Sequence, residues 1–175
     1  MSLIIGLSVV IVAYDGRKPR VLATRREGYV TALPFGTFDP VDHRTFELAL
    51  RGWVKEQTGF HLGYVEQLYT FGDRDRESPE ASITDAPEDS RVVSVGYLAL
   101  TPEAERLPDA FDARWRGWYS HFPWEVHRAG RPALLDEVIA PRLMDWSVER
   151  EDRRLRVMTA FGLDGHDWAD ERVLE

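Results

Sequence analysis

The chain has 175 residues, enough for one domain with a sizeable core and an appendage. Its 30 acidic and 22 basic residues leave a net charge of −8, so the chain as a whole is poorly suited to a nucleic-acid backbone, which calls for clustered Lys and Arg. The absence of cysteine excludes disulfide and thiol chemistry and is compatible with a cytoplasmic protein. No run is long enough to cross a membrane as a helix, and the apolar residues 4–13 lack the basic leader and cleavage site of a signal peptide.

In chain order, residues 3–14 are rich in Ile and Val and predict a buried strand. Asp15-Gly16 and Lys18-Pro19 predict a turn, and residues 20–24 a second strand. Arg25 and Arg26 leave that strand, and residues 29–33 lead into the most informative stretch of the sequence. Residues 33–60 read LPFGTFDPVDHRTFELALRGWVKEQTGF. Pro34 and Gly36 predict a sharp bend, and Asp39-Pro40 and Asp42-His43 supply turn and N-cap chemistry. A helical pattern follows over residues 45–57, with Phe46, Ala49, Leu50, Trp53 and Val54 on one face. Gly59 is the expected C-cap, with Phe60 packing back behind it.

This loop–helix–loop resembles the Nudix box, G-x5-E-x7-R-E-U-x-E-E-x-G-U, where U is a large aliphatic residue. Val54, Glu56, Gly59 and Phe60 fall at the first U, the first Glu of the EE pair, the last glycine and the last U. The family's Arg-Glu pair reads Gly52-Trp53, and the second Glu of the EE pair reads Gln57. The stretch from Gly36 to Gly59 is two residues longer than the family spacing. The resemblance implies a site for divalent metal, and hard cations such as Mg²⁺ take several carboxylate and water oxygens. On this resemblance Glu56 would be the remnant of the catalytic carboxylates, and any Mg²⁺ would need Glu56 together with Asp39 or Asp42. The expectation is a Nudix fold whose hydrolytic machinery is broken. A plain amphipathic helix with a solvated Glu56 is the alternative reading of the helix taken alone.

Beyond the box, residues 64–73 predict a strand with Val65, Leu68 and the aromatics available to the core. Residues 74–90 are polar, acidic and interrupted by Pro79 and Pro87, and predict a loop. RVVSVGYLAL, residues 91–100, predicts another strand, with Gly96 marking a bulge or a close approach. The phrases EQLYTFGDRDR and RVVSVGYLAL are similar to a Nudix subgroup near the ADP-ribose pyrophosphatases, the Nudix-related transcriptional regulators of NAD metabolism. In that group an N-terminal Nudix domain senses ADP-ribose or a related NAD derivative, and a C-terminal winged helix binds DNA. The resemblance covers roughly residues 4–118. It implies that Arg25, Arg26, Arg76 and Arg91 meet diphosphate oxygens, since Arg suits bidentate contact, and that Phe71 or Tyr69 stacks on the base. Solvated strand ends and loops are the competing reading of the arginines, and core packing that of the aromatics.

Residues 115–119 and Trp124 fall where such a fold has its last strand and the loop to its final helix, and His121 and His127 lack metal-like spacing. Residues 132–140 predict a helix with Leu134, Leu135, Val138 and Ile139 inward, kinked or ended by Pro141. A further helix carries Leu155, Met158 and Phe161 as its apolar stripe, and residues 167–175 begin another. The expected architecture is an α/β/α sandwich around a mixed sheet, with a Nudix-like domain over residues 1–146 and a helical extension over residues 147–175. The expected function is that of a catalytically impaired sensor for an ADP-ribose-like nucleotide. Such a sensor would be a homodimer without membrane contact, and would reach DNA only through a domain outside this chain. Two alternatives stand beside it. One is an ADP-ribose hydrolase using relocated carboxylates among Asp39, Asp42, Glu47 and Glu56. Glu47 and Glu56 lie nine residues apart, too far along a helix to chelate one ion as i,i+4 neighbours do. The other is a ligand-free dimerisation scaffold.

Overall fold

The computed structural model describes residues 3–26, 29–72 and 90–169. Contacts divide the chain into two compact units, residues 1–118 and 119–175. The boundary expected at 146/147 falls inside the second unit, at the end of a helix.

The first unit is built on β1 (Leu3–Tyr14), as its unbroken Ile/Val run predicts. Leu7, Val9, Ile11 and Ala13 alternate onto one buried face. β2 (Pro19–Arg26) returns through the Asp15-Gly16 turn, and β3 (Tyr29–Ala32) and β4 (Phe35–Thr37) follow. Helix α1 (Phe46–Thr58) comes next, then β5 (Val65–Phe71), β6 (Arg91–Thr101) and β7 (Ala113–Gly117). The seven-stranded sheet runs β3-β2-β1-β6-β5, with β4 pairing β1 and β7 pairing β2. β1 and β6 are parallel from Leu3–Arg91 to Ala13–Thr101, and the other pairs are antiparallel, so the sheet is mixed. The architecture is therefore mixed α/β.

The core lies between the sheet and α1. Leu7, Val9, Ile11, Leu22, Val95, Tyr97 and Ala99 meet Ala49, Leu50 and Val54 of the helix, with Phe60 behind the helix end. Phe60 and Trp115 pack edge to face, with ring centroids 5.8 Å apart, so Trp115 is a core residue.

Strand β5 differs from its expected role. Val65 reaches the core, but Leu68 and Tyr69 are 56 % and 62 % exposed. The reason is position in the sheet: among the described residues β5 is an edge strand paired only with β6. A register shift between Gln67 and Tyr69 sits beside Gly96, so the irregularity expected at that glycine lies on its partner strand. The predicted loop at residues 74–90 lies outside the described residues except for Ser90.

In the second unit a π-helical turn, Leu135–Ile139, runs directly into α2 (Ala140–Ser147). Pro141 follows the π turn directly, and the helix continues past it rather than ending there. The π turn shifts the helical register. Leu135 is fully buried, whereas Val138, expected inward, is 38 % exposed. Helix α3 (Glu151–Ala160) buries Val157 and Ala160 and leaves Leu155 outside, which corrects the expected stripe. Residues 167–169 are not helical, and residues 170–175 lie outside the described residues. Trp168 instead packs with Leu135, Ala160 and Phe161 in a small core of its own.

Candidate functional site

The box helix begins and ends on local chemistry. Thr45 is the N-cap, its hydroxyl accepting from the Leu48 N–H at 3.2 Å. Gly59 closes the helix at φ 68°, where a Cβ would be strained, and its N–H donates to the Lys55 carbonyl. Thr58, fully buried, donates to the Val54 carbonyl at 2.7 Å and accepts from Phe60 N–H at 3.0 Å. The loop before the helix is held by Asp39, whose carboxylate accepts from the Val41 N–H at 2.7 Å. The Asp39 N–H donates to Nδ1 of His43 at 2.9 Å.

The two departures from the family pattern have definite occupations. Trp53 lies against the bend: a Cβ on Gly36 would stand 2.2 Å from atoms of the indole. Its Nε1–H donates to the Thr37 carbonyl at 3.1 Å. His43 packs edge to face on Trp53 at 6.0 Å, and Phe38 packs on both His43 and Phe46. Gln57 pairs its whole amide with one peptide residue. Its Oε1 accepts from Phe35 N–H at 3.1 Å, and its Nε2 donates to the Phe35 carbonyl. A carboxylate accepts only, so a Glu could make half of this pair. Both side chains thus tie α1 to β4, at the two helix positions where the resemblance to the Nudix box expects carboxylates.

Of the acids considered, Glu56 is exposed and lines a cleft with Gly52, Lys55, Gly59, Pro108 and Phe111. Asp42 is exposed in the loop, and Asp39 is engaged in the turn it shapes. Glu47 accepts from Arg51, which also donates to the Leu62 and Gly63 carbonyls, so that pair fastens the chain leaving α1. Among the described residues no three His, Asp or Glu side chains come together. Mg²⁺ wants several oxygen ligands in near-octahedral array. One free glutamate beside a tryptophan and an amide already paired with backbone does not meet that demand, so these residues do not fit the metal pair of a Nudix hydrolase.

The expected ligand contacts are spread out. Arg25 stands one residue before the end of β2, with its Nε 3.9 Å from the Asp112 carboxylate and its N–H donating to the Asp112 carbonyl at 2.9 Å. Arg26 lies in the same strand, its side chain outside the described set, and Arg76 lies outside the described residues altogether. Arg91 opens β6, two strands away from β2, and donates to the Gly72 carbonyl at 2.6 Å. Phe71, at the end of β5, packs with Tyr69 at 4.9 Å. Arg25 lines a cleft of about 240 Å³ with Ala23, Thr24, Thr31, Asp112, Arg114 and Arg116. Sequence reasoning passed over Arg114 and Arg116. Their signal in the sequence is the period-two alternation of Ala113-Arg114-Trp115-Arg116, which sets the arginines on the face opposite Trp115.

No protein-family profile and no curated protein matches the sequence. Solved structures do match the fold. The Nudix domain of Shewanella oneidensis NrtR, determined with ADP ribose, aligns at 20 % identity over 70 % of this chain and 78 % of its own, with a TM-score of 0.54. A MutT/nudix family protein from Enterococcus faecalis aligns at 25 % identity over 67 % of this chain, with a TM-score of 0.53. Shewanella oneidensis NrtR complexed with a 27mer DNA aligns at 21 % identity over 82 % of this chain, with a TM-score of 0.50. This chain spans 44 % of the Enterococcus faecalis protein and 63 % of the DNA-bound NrtR. The chain has the Nudix fold.

Proposed function

We propose that this Nudix fold binds ADP-ribose or a related NAD-derived nucleotide without hydrolysing it, as the sensor part of a transcriptional regulator. The observation that carries the reading is the commitment of Trp53 and Gln57 to the β4 backbone. Catalysis of diphosphate hydrolysis by a Nudix site needs metal-held charge stabilisation at the reacting phosphate. Here two of the three helix positions serve packing and hydrogen bonding instead. The nucleotide and the regulatory role are supported by the fold's likeness to the ADP ribose-bound NrtR Nudix domain and to DNA-bound NrtR. Contact with DNA would fall to a domain outside this chain, consistent with the net charge of −8. Arg25, with Arg26 beside it in β2, is the proposed diphosphate contact; Arg91 and Phe71 lie on β6 and β5, away from that strand, and Arg76 lies outside the described residues. Titration calorimetry with ADP-ribose in the presence of a chelator tests binding, with saturable heat as the expected result. Absence of heat across the millimolar range would overturn the ligand assignment.

One observation favours a second reading. Glu56 remains exposed in a cleft, so a hydrolase using Mg²⁺ on Glu56 with Asp39 or Asp42 stands as the alternative. Under it, Glu56→Gln would abolish Mg²⁺-dependent AMP release. A homodimer is part of the sensor proposal, and Tyr64, Leu68 and Tyr69 at the exposed β5 edge give it apolar surface. Light scattering checks it, with twice the chain mass expected.

A further inference from the structure

We infer that the cleft between β2, β3 and β7 is a diphosphate-binding site in which Arg114 and Arg116 are the principal contacts. The inference deepens the nucleotide-binding proposal and rests on it only for the source of the diphosphate. Register fixes the geometry. Ala23 stands opposite Arg114, and Val21 opposite Arg116, so both arginines project from one face of β7. Their neighbours Ala113 and Trp115 pack in the core against α1, so the arginines face the other side of the sheet. Arg25 shares the parity of Val21 and Ala23 on β2 and joins them at the strand end.

A small side chain leaves the room: Ala23, opposite Arg114, is buried, and the β2–β3 register is irregular between Thr24 and Arg26. The cleft is set on strands. The Thr24 hydroxyl is 3.4 Å from the Ala32 carbonyl, Arg116 is 3.3 Å from the Thr31 hydroxyl, and the Arg25 N–H holds the Asp112 carbonyl. Sites on strands hold their geometry better than sites on loops.

Charge selects an anion. Three guanidinium groups face one carboxylate, Asp112, and that carboxylate lies 3.9 Å from Arg25, too far for a tight pair. Among the described residues Arg114 forms no ion pair. Planar guanidiniums match phosphate oxygens two at a time. Size narrows the class. About 240 Å³ is below the roughly 300–1,000 Å³ of a pocket for a drug-sized ligand, and among the described residues no aromatic side chain lines it. It takes the diphosphate of a nucleotide and leaves the base outside. A long polyanion is disfavoured, because the chain's net charge of −8 repels it beyond the short range over which the cleft's own field acts. Inorganic pyrophosphate and ADP-ribose share the recognised group and are separated by experiment.

The test is calorimetric titration of the full chain with inorganic pyrophosphate and, separately, with ADP-ribose, in wild type, the double variant Arg114→Gln/Arg116→Gln, and Arg106→Gln. Arg106 is exposed, pairs with Asp109 and lies outside the cleft, so it controls for the loss of a surface charge. All three targets are exposed, and circular dichroism verifies folding. At least a tenfold loss of affinity for both compounds in the double variant, with Arg106→Gln unchanged, is expected. Loss of pyrophosphate affinity in a chain that never binds ADP-ribose would keep the cleft and overturn the nucleotide reading. Equal ADP-ribose affinity in wild type and double variant would overturn the cleft and keep that reading. No binding of either compound to wild type would overturn both.

Discussion

Gln57 and Phe35 lie 22 residues apart, yet one amide satisfies both the N–H and the carbonyl of the other's backbone. That arrangement predicts what restoring the family residue would do. Gln57→Glu removes the donor and sets a carboxylate oxygen against the Phe35 carbonyl, an arrangement costing about 1–3 kcal/mol. The carboxyl regains its donor when protonated, so its folded pKa is raised relative to the unfolded chain. The sign follows: the variant's deficit is smallest below the unfolded pKa and grows as pH rises through the folded one. Urea denaturation at several pH values measures this, and no Mg²⁺-dependent hydrolysis should appear, because Trp53 still occupies the neighbouring position. Trp53 and Gly36 make a coupled pair. Gly36→Ala drives a methyl into the indole and should cost about 1–3 kcal/mol. Trp53→Ala should cost about 2–4 kcal/mol, discounted from the usual value because the ring is only half-buried. In the double variant the alanine methyl meets open space, so the two costs should add to less than their sum, a coupling visible in a double-mutant cycle. Additive costs would contradict the contact.

At the scale of elements, the β1–β2 turn is built on Asp15. Its carboxylate accepts from the N–H groups of Lys18 and Arg17, at 2.8 and 2.9 Å, and from Arg20 at 2.6 Å. The Lys18 N–H, then the Arg20 guanidinium, then the Arg17 N–H hold its pKa down from 3.8 to about 2. A depressed acid contributes stability above its unfolded pKa and loses it as pH falls through the folded one. Asp15→Asn should therefore lower stability above about pH 4, and the two proteins should converge near pH 2, as followed by acid titration of the circular dichroism signal. What was legible at this scale was local. Gly59 and the apolar face of α1 lie within a few residues of what they fix and were readable as stop and stripe, whereas the cap expected at Asp42-His43 is Thr45. The inward faces of β5 and of the helices around Pro141 were not legible. β5's exposure follows from being an edge strand, a long-range property, and Val138 turns outward because of a π turn that periodicity of 3.6 does not anticipate.

Across the whole molecule, the sequence carried the fold further than the site. The partial box in and just after α1, together with the phrases EQLYTFGDRDR and RVVSVGYLAL, was enough to expect a Nudix fold, which the solved structures share. The degenerate positions were visible as letters, but their use was not, because Trp53 and Gln57 act on a three-residue strand folded back from earlier in the chain. The arginines illustrate the same limit. Arg25 and Arg91 were both singled out, yet Arg91 lies two strands from β2, and the arginines that share a cleft with Arg25 come from β7, some 90 residues on. Sheet order, which one sequence does not print, decides which charges meet.

The central claim is binding without turnover. Its most direct measurement is ADP-ribose titration with and without Mg²⁺, with AMP release followed in the same samples. The account predicts saturable heat that is independent of Mg²⁺, and no AMP. AMP release that requires Mg²⁺ and is lost in Glu56→Gln would contradict it and place the chemistry on the remaining loop and helix acids.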